Sequence, residues 1–359
     1  MRRTVAVLST AIAVSALMAT PRAHAGLVTY CVGTGGAVTV PNDLHVPAGE
    51  SCALTGTTVT GNVSVAPGAN LVVTGGRLSG QIQIAADGYL DATDTTIGGA
   101  VELASGGYGI FLRNVHSGEV TIRAKGTATI DSFLFAEHTT IEGNVATNAG
   151  EVRLDRTTQV TGNVSSSGTY YTDLHDSFVD GTFSVLNSAT GSVVCGSAVR
   201  GRATFAGNLG GVQLGPHGSL DGCASGGYWG RDVSITNTTG GVTVDDTIID
   251  GQLTLTANNP VARVATNNRI RGGVVGEQAP PGGGSSRAAA DMSAVDRVVD
   301  GSLGDEVAGG PSGARVSGPS GDGVAGDRVA GDRDAGDRRT GTRRAAAVEE
   351  ARAAGDAGL

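Results

Sequence analysis

A short pattern of alternating apolar residues around a glycine returns along most of the chain, at intervals of about 19 to 21 residues. In "VTGNVSV", valines lie two positions before and two positions after Gly61, and "LSGQIQI", "IEGNVAT" and "IDGQLTL" repeat that arrangement. A unit this short cannot bury its own apolar face and must stack on its neighbours. The repeat therefore constrains the fold more than any other feature of the sequence.

Alternation with a period of two is typical of β-strands, and a second apolar group about ten residues after the glycine predicts another strand in each repeat. We therefore expect an all-β, single-stranded parallel β-helix of right-handed winding, with eleven or twelve coils over residues 26–276. Apolar columns should fill its interior, polar residues should face water, and each glycine should occupy an inward corner. Long intervals after Gly118 and Gly222 predict insertions there. The structural glycines are Gly61, Gly80, Gly99, Gly118, Gly143, Gly162, Gly181, Gly201, Gly222, Gly251 and Gly272.

The N-terminus has the pattern of a secretory signal peptide. "MRR" precedes the apolar run "TVAVLSTAIAVSALMA", and "PRAHA" ends in a signal-peptidase type site after Ala25. The mature chain is predicted to begin at Gly26. The run is too short for a membrane anchor, and no other span could cross a membrane.

The chain has four cysteines, and an even number in an exported protein indicates disulfides rather than a metal or redox centre. Three pairings are formally possible. The spacing favours Cys31 with Cys52 and Cys195 with Cys223, because the first pair is 21 residues apart, close to one coil.

The composition changes abruptly after residue 276, where "QAPPGGGSSRAAADMSAVDR" and "GDGVAGDRVAGDRDAGDRRTGTRR" replace the valine and isoleucine columns. Such a segment has few apolar residues to offset the entropy of ordering. We expect residues 277–359 to form a disordered tail, with a short helix near "RRAAAVEEARAA". The alternative is a frameshifted reading of GC-rich DNA.

The charge balance argues against two classes of partner. The net charge is −9 and Lys125 is the one lysine, which excludes a nucleic-acid or an anionic-membrane partner. The remaining partner classes are a second copy, through end-to-end stacking, and a cell-surface polysaccharide. We expect no cofactor.

Clustered acids and a histidine give weak candidates for catalysis, namely Asp173, His175, Asp176, Asp180, Asp245 and Asp246. With "GPHG" around His217 and "NRIRGG" near residue 270, they faintly resemble the residue sets of polygalacturonase-like enzymes. The resemblance fails in detail. The glycine-histidine element precedes the paired aspartates and contains an extra proline, and the lysine of the arginine-isoleucine-lysine motif is missing from "NRIRGG".

The same charges have a structural interpretation. Acids and bases placed just before successive glycines would form a ladder of ion pairs between coils, each contributing about 0–1 kcal/mol. Asp91 and Asp94 could contribute to a calcium site, although solvated turn residues are the simpler interpretation, and we expect no metal site. The ladder consists of Asp180, Arg200, Asp221, Asp250 and Arg271.

The recurring "VxGxVxV" unit between Gly36 and Gly276 resembles that of bactofilin-type polymer-forming β-helices, which stack end to end. Those proteins are cytoplasmic and lack signal peptides and paired cysteines, unlike this chain. "VPAGESCALTGTTVTGNVSVAPGANL" is more similar to small secreted β-helix proteins of actinobacteria, a group without an assigned activity.

The expected function is that of a secreted, non-catalytic structural or surface-interaction protein of the cell envelope or extracellular space. The alternative is a polysaccharide-binding or polysaccharide-cleaving β-helix of the lyase or hydrolase kind. That alternative would require a groove lined by aromatics and carboxylates, at Tyr170, Tyr171, Asp173 and Asp176 or at Tyr228 and Trp229.

Overall fold

The chain folds into a parallel β-solenoid of about twelve coils. A computed structural model describes residues 26–280 and 325–359, and the side chains of the C-terminal helix from residue 335 onward. Each coil adds one short strand to each of three sheets, with 13, 12 and 12 strands, and all pairings given between neighbouring coils are parallel. The predicted all-β solenoid is therefore confirmed.

The three sheets are called A, B and C in the order in which a coil visits them. Sheet A contains the strands Val28–Tyr30, Asp43–Val46, Val63–Val65, Ile82–Ile84, Val101–Leu103, Val120–Ile122, Val145–Thr147, Val164–Ser167, Phe183–Leu186, Ala203–Ala206, Val233–Thr236, Leu253–Thr256 and Val274–Gly276. Sheet B contains Gly33–Gly35, Ser51–Thr55, Asn70–Thr74, Tyr89–Thr93, Gly109–Arg113, Phe133–Glu137, Glu151–Asp155, Tyr171–His175, Gly191–Cys195, Gly211–Leu214, Val242–Val244 and Arg263–Val264. Sheet C contains Thr39–Val40, Thr58–Val59, Arg77–Leu78, Thr96–Ile97, His116–Ser117, Thr140–Ile141, Gln159–Val160, Phe178–Val179, Ala198–Val199, Tyr228–Trp229, Ile248–Ile249 and Arg269–Ile270.

Equivalent residues of successive coils stack in register and fill the interior. Val63 pairs with Ile82, and Ile82 pairs with Val101, all three fully buried. Each such column places like against like, so neighbouring side chains share the same rotamer space and pack without large gaps. The apolar columns predicted from the period-two alternation are the core.

The repeated glycines lie at the corner between sheets C and A, and most of them are needed for the close approach of neighbouring coils. A Cβ built on Gly80 would lie 2.5 Å from the carbonyl oxygen of Gly61, and one on Gly118 would lie 2.6 Å from that of Gly99. The missing side chain therefore points along the rod at the preceding coil, and not into the interior as predicted. Only Gly143 of this set has a positive φ, of 106°, so backbone freedom is not the general reason for glycine.

The assignment of Gly222 to this series is wrong. Val199 pairs with Trp229 and Ala203 with Val233, which places Arg231 at the corner of that coil. Gly222 instead belongs to an insertion of residues 215–227. A Cβ built on Gly222 would meet nothing within 4 Å. The longer interval therefore begins before Gly222, whereas the insertion predicted after Gly118 is present between the strands Val120–Ile122 and Phe133–Glu137.

The segment expected to be a disordered tail is described in part. Residues 281–324 lie outside the described residues, and Ala325–Ala354 form one helix, α1. The short helix expected near "RRAAAVEEARAA" is the last part of α1. Its described side chains pack on sheet B, so the expectation of disorder does not extend to residues 335–359.

The predicted signal peptide, residues 1–25, also lies outside the described residues. Within residues 26–280 and 325–359, no helix combines the length and the apolar character needed to cross a membrane.

The corner glycines give a prediction with an internal control. Gly118→Ala should lower the free energy of unfolding by roughly 1–3 kcal/mol, because the added methyl group must push two coils apart. Gly222→Ala should change it by less than about 0.5 kcal/mol, since the site has room for a methyl group. Chemical denaturation of both variants measures the difference, and equal destabilisation would contradict the corner assignment.

Candidate functional site

The outer face of sheet B is largely buried, whereas in the strands of sheets A and C buried inward residues alternate with more accessible outward residues. Strands such as Tyr89–Thr93 and Phe133–Glu137 have four successive buried residues, while Ile82–Ile84 of sheet A exposes its central residue. The prediction that outward residues face water is therefore wrong for sheet B. Two segments of the same chain cover this face, α1 and the insertion 215–227.

Helix α1 lies along the rod, across the strands of sheet B. Asp337 contacts Arg153 near the middle of the solenoid, and Glu350 contacts Ser51 in the second coil. A helix rises about 1.5 Å per residue and neighbouring strands lie about 4.8 Å apart, so a helix in this direction advances one coil in roughly three residues. Residues spaced three or four apart on α1 thus meet successive strands.

The side of α1 that faces the sheet consists of small residues. Gly336, Thr340, Ala347 and Ala351 are buried. A Cβ on Gly336 would lie 3.1 Å from the ring of Phe135, so the backbone of the helix approaches the sheet closely there. Arginines on either side of this row make most of the polar contacts.

One of these arginines neutralises a fully buried carboxylate. Asp91 lies on the outer face of sheet B, accepts a hydrogen bond of 2.8 Å from the hydroxyl of Tyr89, and is paired with Arg344. Burial raises the pKa of Asp91, an effect that Arg344 partly offsets. Burial also raises the pKa of Tyr89, as does the nearby carboxylate.

Asp91 and Asp94, the two residues considered for a calcium site, make other contacts in the structure. Asp91 is paired with an arginine and is not a solvated turn residue. Asp94 accepts a hydrogen bond of 2.6 Å from the side-chain amide of Asn114 in the next coil. The two carboxylates therefore have separate partners.

A second group of contacts begins and ends on the helix. Arg343 Nε donates to Asn70 Oδ1 at 2.7 Å, Asn70 Nδ2 donates to Ser51 Oγ at 2.9 Å, and the Ser51 hydroxyl donates to Glu350 at 2.6 Å. This chain of hydrogen bonds satisfies the buried polar groups of the second and third coils. It also fixes which turn of α1 meets which strand.

Aromatic side chains on the same face receive the other arginines. The ring of Phe133 packs against Phe135, with centroids 4.5 Å apart. Arg339 lies 5.0 Å from the centroid of Phe133, and Arg153 lies 3.6 Å from that of Phe135 while pairing with Asp337 at 2.7 Å. The flat guanidinium groups thus stack on rings and keep their hydrogen-bonding edges for acids.

Beyond α1, the end of the chain extends sheet B past its first strand. The Thr34 amide donates to the Gly355 carbonyl at 2.8 Å, and the Ala357 amide donates to the Thr34 carbonyl at 2.9 Å. Leu359 packs against the apolar core at this end of the solenoid. A Cβ on Gly35 would lie 2.6 Å from the Leu359 side chain, so the glycine leaves space for it.

The insertion 215–227 covers sheet B further along the rod. The disulfide Cys195–Cys223 fixes it to the ninth strand of the sheet, and Leu220 packs on Tyr171 and Val193. His217 Nδ1 lies 2.7 Å from Asp245 Oδ2. The other predicted disulfide, Cys31–Cys52, joins the first two coils; both pairings favoured by the spacing are present.

Asp173 and His175 of sheet B meet a third residue, Asp221. His175 Nε2 lies 2.8 Å from Asp173 Oδ1 and 3.2 Å from Asp221 Oδ2, and all three side chains are largely buried. Asp221 comes from the insertion, so this junction cluster connects the insertion to the solenoid.

The other predicted catalytic residues do not join this cluster. Asp180 pairs with Arg200 at 2.8 Å. Asp176 and Asp246 occupy turns with positive φ, of 45° and 48°, and Asp245 is paired with His217. The six candidates are therefore distributed over several places, and the junction cluster contains two of them, Asp173 and His175.

The predicted charge ladder is present in part. Arg200 pairs with Asp180, and Arg271 pairs with Asp250 at 2.5 Å, in both cases across neighbouring coils. Asp221 is not part of it, because it lies on the insertion. Both arginines are more than half exposed, so each pair contributes little to stability.

Of the four aromatic side chains expected at a polysaccharide site, Trp229 and Tyr171 are buried, whereas Tyr170 and Tyr228 are partly exposed. Trp229 lies in the core against Phe183 and Phe205, and Tyr171 is covered by the insertion. Tyr170 is more exposed and borders a cavity of about 180 Å³. This cavity is lined by Asp131, Ser132, Glu151, Tyr170, Ala335, Gly336 and Arg339.

Comparison with known proteins gives no family for this chain. No family model matches it, and neither a curated protein nor a solved structure matches it. The class defined by the structure is that of the parallel β-solenoids.

Sequence reasoning missed the covered face, although two signals of it are present. Tyr89, Phe111, Phe133 and Phe135 occupy outward positions of sheet B, where large aromatic rings would be unfavourable in water. In the tail, Arg339 and Arg343 are four positions apart, a spacing that places them on one side of a helix.

The disulfide of the insertion gives a second prediction. The double substitution Cys195→Ser with Cys223→Ser should remove about 3 kcal/mol of stabilisation from the insertion, in the chain-entropy estimate. Limited proteolysis should then cut within residues 215–227 while the coils stay intact. The matched pair Cys31→Ser with Cys52→Ser should leave the insertion protected, and equal protection in both double variants would contradict the role given to Cys195–Cys223.

Proposed function

We propose that the protein is a secreted, non-catalytic β-solenoid that serves as a structural or surface-interaction element of the cell envelope or extracellular space. The observation that carries this proposal is the use of the chain's own segments to cover the outer face of sheet B. The acids, arginines and aromatic rings of this face bind α1 and the insertion. These contacts also favour an authentic C-terminal segment over a frameshifted one.

Two further features support the extracellular part of the proposal. The disulfides Cys31–Cys52 and Cys195–Cys223 are compatible with an oxidising compartment. The N-terminal sequence has the pattern of a signal peptide cleaved after Ala25. The resemblance of "VPAGESCALTGTTVTGNVSVAPGANL" to secreted actinobacterial β-helix proteins, which rests on the sequence pattern alone, would agree with export.

A second candidate function is polysaccharide binding at Tyr170. Its partly exposed ring borders the cavity that also contains Glu151, Asp131 and Arg339, a combination of an aromatic surface and hydrogen-bonding groups suited to a sugar. The cavity lies beside α1 and is small, so a single sugar unit would fill it. Cleavage of a bound polysaccharide would require a general acid and a general base beside the sugar.

The proposal is tested by expressing the full chain in an actinobacterial host and fractionating the culture. The protein should be recovered from the medium or the envelope fraction, begin at Gly26 and contain no free thiol. A cytoplasmic protein that retains residues 1–25 and has reduced cysteines would contradict it.

The same preparation distinguishes the second candidate through a glycan array and a reducing-sugar assay. The structural proposal predicts neither specific binding nor turnover. Glycan binding that is lost in Tyr170→Ala and retained in the exposed-site control Tyr30→Ala would favour the polysaccharide-binding function, and release of reducing sugar would favour cleavage.

A further inference from the structure

We propose that the outer face of sheet B from Ser51 to Arg153 is a binding site for an arginine-containing helix, which α1 fills reversibly. The occupant is the sequence of α1 itself, supplied by the same chain here and by a second copy when copies exchange helices. This inference does not depend on where the protein acts.

The site recognises its helix by charge and shape together. Asp91 is fully buried and needs a cation, and Arg344 supplies it. Asn70 and the carbonyl of Asp87 accept hydrogen bonds from Arg343 at 2.7 and 3.0 Å. The row of small residues on α1 allows these arginines to reach the sheet, and a helix with larger residues in that row could not approach as closely.

The helix depends on the site for its own stability. Its sequence has a glycine at every fifth position from residue 326 to residue 341. Each glycine costs about 1 kcal/mol relative to alanine in a helix, and isolated helices are marginal even without such residues. The segment should therefore become helical on docking, as a folding ligand does.

The connection between the solenoid and α1 does not force docking within one chain. Residues 281–324 separate the last coil from the helix, and a segment of that length can span up to about 150 Å. The solenoid of about twelve coils is on the order of 50–60 Å long. The helix of a second copy can therefore reach the same face. It competes there with the chain's own helix, which has a high effective concentration because it is tethered to the solenoid.

The interface itself has the composition of an exchangeable contact. It contains several ion pairs and hydrogen bonds, and Arg344 and Arg343 each keep a solvent-accessible part. Buried ion pairs give specificity more than net stability, because desolvation opposes their attraction. A docked helix of this kind can leave and return without unfolding the coils, which are held by their own backbone pairing.

The test uses the full chain with a protease recognition sequence placed between residues 281 and 324. After cleavage, a fluorescent peptide of residues 325–359 is added, standing for the helix of a second copy. Fluorescence anisotropy should show saturable binding, and circular dichroism should show that the peptide gains helix when it binds. The uncut chain should bind the peptide at least tenfold more weakly, because its own helix competes.

Two peptide variants identify the contact that matters. R344Q should bind at least tenfold more weakly at pH 7, because it leaves the buried Asp91 without its paired arginine and with only the more distant charge of Arg113. R338Q should bind within about twofold of the unsubstituted peptide, since Arg338 is exposed. Neither change touches the folding of the solenoid.

The pH dependence adds a readout that a general loss of helix would not move. Without Arg344, docking raises the pKa of Asp91 above its value in the undocked state, so the docked state takes up a proton. Binding of R344Q should therefore recover as the pH falls from 7 towards 5, while that of R338Q should follow the unsubstituted peptide. Absence of binding to the cleaved chain, equal binding to the uncut chain, or equal losses for R344Q and R338Q would each overturn the proposal.

Discussion

The close stacking of one coil on the next is the constraint on which the rest of the structure depends. At the corner between sheets C and A, the backbone of one coil meets that of its neighbour so closely that a Cβ at Gly118 would overlap the Gly99 carbonyl. This contact keeps the strands at hydrogen-bonding distance and holds the apolar columns in register. In the coil that carries the insertion 215–227, Arg231 occupies this corner in place of glycine.

A regular stack has a further consequence for the surface of sheet B. Its outward residues form straight rows along the rod, and a helix parallel to the rod meets them at nearly constant intervals. Asp91 and Asn70 lie in neighbouring coils and bind the adjacent residues Arg344 and Arg343, and Ser51, one coil before Asn70, binds Glu350 further along α1. The spacing of the coils therefore determines where side chains of α1 find partners along sheet B. The insertion, held by Cys195–Cys223 and the junction cluster, covers the same face further on.

The fold could be predicted from the sequence because its determinants are local and repeated. Alternation around Gly61 is enough to place Val59 and Val63 in the core, and stacking follows from the length of the repeat. Counting intervals misplaced Gly222, because this glycine lies 21 residues after Gly201 although it belongs to the segment 215–227. The covered face could not be predicted in the same way. It joins residues such as Asp91 and Arg344, which are 253 positions apart. Asp91 belongs to the repeats with apolar columns, whereas Arg344 belongs to the tail with few apolar residues. The composition of the tail correctly indicates few apolar residues. It does not indicate that a helix of small residues and arginines can dock on the acidic and aromatic side chains of sheet B.

Amide hydrogen exchange of the intact chain tests the docking of α1 on sheet B most directly. Docked, the amides of residues 336–354 should exchange far more slowly than those of the free peptide 325–359, and local opening of the helix should precede opening of the strand Asn70–Thr74. If residues 336–354 exchange as fast as the free peptide while sheet B stays protected, α1 does not occupy this face in solution, and the outer face of sheet B must be covered in another way or be open.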